Sequence, residues 1–274
     1  MIAVPSELLV RAVIGAVLVG ISASLTGTFV VQMDLSSIGF CMSHAAFAGA
    51  ALGLLLEISP ILSAVAFALI VSFLLGPVSK KAKLTPGVVT GIAFSVTIAL
   101  GFVFLNLQPG AAATGAALSI LWGSVFALGW MEVFLLGILT GSIIIVILTF
   151  KKELMTMLFD RKMAEASGVR TDPFFFLILS LTGMVVAFSL KLVGGLLVFA
   201  LIVNTASVAR QFFYDINKVL IFSPIVGAVC CLLGFSFSMQ FNFPVGASIV
   251  IFTALAFGLS VAVSPKRGSG GGPI

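Results

Sequence analysis

An all-α, polytopic membrane bundle of about nine transmembrane helices is the fold class that this sequence predicts. Three observations carry that expectation. Hydrophobic residues make up 61% of the chain and charged residues only 8%, where a soluble domain carries about a quarter charged; mean hydropathy is +1.30. The apolar residues come in runs near the length of about 20 that spans a bilayer core as helix. The basic residues, finally, collect in alternate connections between those runs.

The first run, 8–32, has Glu7 and Arg11 at its head and no basic stretch before it, so it reads as a span and not as a cleaved signal. Further runs fall at 38–57, 60–78, 86–107, 131–150, 173–190, 193–212, 219–239 and 245–263. The sixth and seventh are almost continuous across "LKLVGGLL", where Gly194 and Gly195 supply a tight turn. The stretch "ALSILWGSVFAL" at 117–128 is too short to span and reads as an interfacial or re-entrant helix. Residues 1–264 therefore form one membrane domain, and the glycine-rich 265–274 is expected to be a flexible tail.

Charge orients the bundle. Lys80, Lys81 and Lys83 follow the third run; Lys151, Lys152, Arg161, Lys162 and Arg170 follow the fifth. Arg210 and Lys218 follow the seventh, and Lys266 and Arg267 the ninth. With an outside N-terminus and a cytoplasmic C-terminus, these 12 of the 14 basic residues lie inside. The loop "MDLSS" at 33–37 also faces inward, although it has no basic residue. The net charge of +5 then reflects anchoring beside anionic lipid and does not point to nucleic acid. No Walker A motif, dinucleotide fingerprint or catalytic triad is present, and Cys41, Cys230 and Cys231 all fall in apolar runs, so no disulfide framework is expected.

Two places could carry chemistry. Residues 151–172 form the longest cytoplasmic connection, and "FDRKMAEASGV" within it reads as a short amphipathic helix over 159–168. Phe159, Met163 and Ala166 would share a face, and Gly168 is placed to stop the helix. It either rests on headgroups or docks a cytosolic partner. The second place is "IGFCMSHAAFAGAALGLLLEI", which holds the only histidine, His44. An ionisable group inside a span is costly, and His44 shares a helix face with Cys41 three residues before it. Imidazole and thiolate would suit zinc or a similar ion. The plainer reading is a histidine bonded within the bundle beside a small packing cysteine. Asn204 is a further polar group in a span, where an interhelical hydrogen bond is the commoner role. Gly15, Gly20, Gly49, Gly53 and Gly91 allow helices to approach closely.

Four stretches, in order, resemble the permease subunits of metal-type ABC importers, the zinc/manganese/iron uptake family. They are "GFCMSHAAFAGAALGLLL", "ILWGSVFAL", "FDRKMAEASGV" followed by "KLVGGLLVFALIVNTASVAR", and "FNFPVGASIVI". The resemblance covers about 10–263 and implies a helical bundle of the vitamin B12-importer type. It implies a homodimer or paired permease embedded in lipid, with no permanently bound cofactor and a divalent metal ion as cargo. A separate ATP-binding cassette subunit would hold the ATP and dock on Phe159, Asp160, Met163, Ala164 and Gly168, and an extracytoplasmic solute-binding protein would deliver the metal. His44 matches the family's metal-binding histidine. The family's carboxylate four residues before it is Phe40 here, its Pro in the seventh span is Asn204, and its Asp before the Pro-x-Gly motif is Asn242. These three positions fall on the family's translocation path. The missing carboxylates open an alternative, the same fold carrying a non-metal cargo. An intramembrane enzyme or a membrane scaffold is the reading from a different class, but no paired Asp, Ser–His pair or HExxH stands in the spans.

Overall fold

A computed structural model describes residues 6–108, 123 and 128–264 of the chain, and every described element is helical. The helices are α1 (Ser6–Gln32), α2 (Ser37–Leu55), α3 (Pro60–Ala82), α4 (Pro86–Asn106), α5 (Trp130–Thr149), α6 (Lys151–Phe159), α7 (Arg161–Ala166), α8 (Thr171–Val193), α9 (Gly195–Phe212), α10 (Ile216–Phe241) and α11 (Val245–Val263). Among the described residues, eight are long and apolar enough to cross a membrane: α1 to α5, α8, α10 and α11. The ninth expected span is α9. It does not start at a surface loop, because the break between α8 and α9 is a single buried glycine, Gly194, at φ +87°. The re-entrant helix expected at 117–128 lies outside the described residues apart from Gly123 and Leu128.

Lipid offers backbone groups no hydrogen-bond partner, so each span satisfies its own as helix. The starts are set locally. Proline opens α3 and α4, where its missing N–H costs nothing. Asp215 caps α10, accepting from the Asn217 backbone N–H at 2.9 Å and from its side chain at 3.0 Å; those donors hold the Asp215 carboxyl below its usual range. Several buried hydroxyls are satisfied within their own helices: Ser24 donates to the Gly20 carbonyl at 2.6 Å, Thr28 to Ser24, Ser43 to Gly39 and Thr205 to Leu201.

Helix α1 packs on α5, α8, α9 and α10, while α2 packs on α3, α4, α8 and α9. These two central helices carry the small residues. A Cβ on Gly20 would stand 2.7 Å from the Gly227 carbonyl oxygen, so α1 and α10 touch backbone to backbone. Gly49 and Gly53 bring α2 equally close to Ser63 and Pro60 at the start of α3. Gly91 does not pack; it faces open space, contrary to expectation.

Contacts between helix ends divide the bundle into two faces. On one face Lys80, at the end of α3, pairs with Asp172, at the start of α8, at 2.5 Å. The Arg210 guanidinium, near the end of α9, donates to the Val31 carbonyl at the end of α1, and Ser264 after α11 donates to Gln211. The basic residues of the described loops lie on this face. Arg210 thereby brings a cation to the end of α1, just before the loop at 33–37, which has none of its own. On the opposite face Arg11 pairs with Glu7 at 3.4 Å and lies over the Trp130 ring, whose Nε1–H donates to Glu7 at 2.9 Å. Arg11 is thus compensated at the head of α1, with an aromatic ring at interface depth. The end of α4 and the start of α5 belong to this second face.

Cysteines placed at Lys81 and Lys152 should therefore react with an impermeant maleimide from one side of a sealed membrane, and one at Glu7 from the other. The native cysteines are buried and should contribute little background. Reaction of positions 81 and 152 from opposite sides would contradict the helix count.

Candidate functional site

His44 lies in the middle stretch of α2, with only 3% of its surface exposed. Its Nδ1 is 2.9 Å from the carbonyl oxygen of Phe40, one turn earlier. A carbonyl can only accept, so in the neutral ring Nδ1 carries the proton and Nε2 keeps its lone pair. The same arrangement, with one ring nitrogen tied to a backbone carbonyl, orients imidazoles that bind metal through the other.

Three phenylalanines form a chain of ring contacts that ends on this group. The His44 ring meets Phe94 of α4 edge to face at 4.6 Å between centroids. Phe94 also meets Phe40 at 6.2 Å, and Phe40 lies against Phe199 of α9 at 3.6 Å with a 32° tilt. Phe199 can come this near because residue 39 is glycine: a Cβ there would stand 2.7 Å from its ring. Phe40 itself is 41% exposed. The result is an aromatic wall with an imidazole behind it, built by α2, α4 and α9.

The other expected site residues divide differently. Cys41 has no exposed surface and belongs to the main apolar core, which is a packing role beside His44. Asn204 donates to the Thr253 hydroxyl at 3.2 Å, tying α9 to α11. Asn242 is exposed and ends α10 at φ 55°, a left-handed position that asparagine tolerates. Among the described residues no group of three or more His, Cys, Asp or Glu could hold a metal ion. Sequence reasoning missed Phe94 and Phe199: the chain has 26 phenylalanines, and nothing in the local pattern marks these two.

The connection at 151–172 also departs from expectation. "FDRKMAEASGV" does not form one helix: α6 ends at Phe159, Asp160 is extended, and α7 is a separate turn and a half. Phe159 and Met163 therefore do not share a helix face, yet both project, at 84% and 69% exposure. Asp160 is the N-cap of α7, its carboxylate accepting from the Met163 N–H at 3.0 Å. Ala164 is fully buried, so it seats α7 on the protein and is not part of an outward face. Gly168, at φ +84°, closes the helix as expected, with Gly168 N–H to Glu165 and Val169 N–H to Ala164. The Thr171 hydroxyl then donates to the Glu165 carboxylate, and the adjacent Asp172 holds Lys80. The connection is thereby joined to both α8 and α3.

Comparison with known proteins decides the family. The ABC 3 transport family matches residues 5–264. The chain belongs to that family. It is the membrane-spanning permease subunit of an ABC transporter. The manganese import system permease protein ScaB of Streptococcus gordonii is 28% identical over 260 residues, covering 94% of this chain and 91% of that protein. The manganese transport system membrane protein MntC of Listeria monocytogenes is 28% identical over 258 residues, with the same two coverages. The solved structure of PsaBC from Streptococcus pneumoniae in complex with Fab superposes with a TM-score of 0.86 at 26% identity, over 97% of this chain and 95% of that one. The helical permease fold expected from the sequence is therefore present.

Asp160→Ala should loosen α7, since loss of such a cap costs about 1 kcal/mol. Hydrogen exchange of the amides of 161–166 should quicken while that of α8 stays unchanged. Unaltered exchange would show that packing of Ala164 alone holds the turn.

Proposed function

We propose that this permease imports a divalent transition metal (zinc, manganese or iron) into the cytoplasm, past His44, driven by ATP hydrolysed on a separate subunit. The observation that carries the reading is the His44 imidazole: a nitrogen donor inside the bundle, fixed through Nδ1 with Nε2 left to ligate. The relatives named as manganese permeases support a metal cargo. Two copies, or this chain and a paired permease, enclose the path in the cell membrane. The face with Lys80, Asp172 and Arg210 is cytoplasmic, which puts the N-terminus outside and the C-terminus inside, in keeping with its basic loops. An extracytoplasmic binding protein delivers the ion on the Glu7–Arg11–Trp130 face. The ATPase docks on the projecting Phe159 and Met163, where burial of two large apolar side chains would stabilise the contact by about 1.5–3 kcal/mol each.

Phe40 is the one observation that favours the alternative, a non-metal cargo on the same fold. Uptake by proteoliposomes holding permease, ATPase and binding protein separates the two. The wild type should accumulate metal with ATP, and His44→Ala should cut uptake at least tenfold with the complex still assembled. Wild-type uptake by His44→Ala would make the histidine structural. Independently, Phe159→Asp with Met163→Asp should abolish stimulation of the ATPase by the permease. Stimulation at the wild-type level would place the docking surface elsewhere.

A further inference from the structure

Helices α3 and α4 each pack closely on α2 but meet one another far less. An open groove of about 300 Å³ is left between them. Leu75 and Val89 are buried along its floor, and Leu74, Val78, Ile92 and Val96 stand about half-exposed on its walls. Among the described lining residues only Thr97 carries a hydroxyl, and it donates to the Phe94 carbonyl of its own helix. The groove thus offers an apolar surface alone. Its α3 side runs from Phe67 to Val78, a rise of about 16 Å. That is close to half of a hydrocarbon core about 30 Å thick, the depth filled by one acyl chain of one leaflet.

The end of the groove at the α3–α4 turn is basic. Phe67, Val71, Leu74 and Val78 follow one another at the spacing of a single helix face, and Lys81 is the next residue in that series. Lys83 stands in the turn itself, at φ 57°, and both lysines are exposed. Lys80 is held by Asp172. Neither Lys81 nor Lys83 pairs with a carboxylate among the described residues. The first turn of α4, the positive end of that helix, starts three residues after Lys83. Space remains there, since a Cβ added at Gly87 would meet nothing within 4 Å. An apolar trough one leaflet deep therefore runs up to two uncompensated cations, which is the layout of a lipid with a net negative headgroup. We infer that this groove holds an anionic phospholipid, with one acyl chain between α3 and α4 and its phosphate at Lys81 and Lys83.

The test uses the full chain in phosphatidylcholine nanodiscs that carry a trace of lipid with a photoactivatable acyl chain, either phosphatidylglycerol or phosphatidylcholine. The phosphatidylglycerol probe should label residues 67–78 and 89–100 about fivefold more than the other lipid-facing spans, and about fivefold more than the phosphatidylcholine probe does. Lys81→Gln with Lys83→Gln should bring the two probes to within about twofold of each other, because only the headgroup contacts are lost. Val96→Trp fills the groove and leaves both lysines, and it should cut labelling there by either probe about fivefold. The wild-type map and the two exposed lysines keep the test independent of how well the tryptophan is accommodated. Labelling spread evenly over the lipid-facing helices overturns the inference, as does a headgroup preference that survives loss of both lysines. A third contrary result comes from Val96→Cys. If that variant forms a disulfide between two copies while the wild-type groove takes no label, the groove is an interface between copies and holds no lipid.

Discussion

Everything in this molecule follows from the absence of water in the bilayer core. Backbone groups cannot be left open there, so the described chain is helix wherever it crosses, and its turns fall at the two faces except for the buried break at Gly194. Many side-chain hydroxyls bond back onto their own helices, as Ser24, Thr28 and Ser43 do. Burial of apolar surface gives little reason for helices to associate in lipid, so close backbone approach takes over that role. Gly20 against Gly227, and Gly49 against Ser63, are where α1 meets α10 and α2 meets α3. Against this background an imidazole on α2 stands out as a group that hydrocarbon alone would not retain.

The face with Lys80, Asp172 and Arg210 joins helices that lie far apart in the sequence. Helix α7 is seated by Ala164 and closed by Gly168. Through Glu165 and Thr171 it is tied to the start of α8, and through the neighbouring Asp172 to Lys80 on α3. Helix α8 packs on α2, and α9 does too. The α6–α7 connection and the helix that carries His44 are thus joined through contiguous packed elements. Phe199 closes the other end of that route, because it lies on α9 and rests on Phe40.

The sequence made the fold legible because membrane spans are long, uniform and punctuated by charge. The apolar runs at 60–78, 86–107 and 245–263 anticipated α3, α4 and α11 to within about one turn. The α8–α9 break was readable as "GG", although Gly194 alone makes it. The connection at 151–172 was read less well: a continuous amphipathic helix and an Asp160 N-cap give similar local patterns, and Asp160 decided for the cap. Of the site, His44 was visible because it is unique. Its neighbours were not, because Phe94 and Phe199 come from other helices and look like any lipid-facing phenylalanine. Cys41 was visible for its chemistry, and the structure buries it in the apolar core.

The central claim is that the transported ion meets His44. Alkylation of a His44→Cys permease in the reconstituted complex tests it most directly. A thiol at this position keeps a soft ligand in the path. If the ion passes here, zinc at transported concentrations slows reaction of that cysteine with a small maleimide several-fold, and removal of the metal restores it. A reaction rate indifferent to zinc, from a cysteine that does react, would contradict the account.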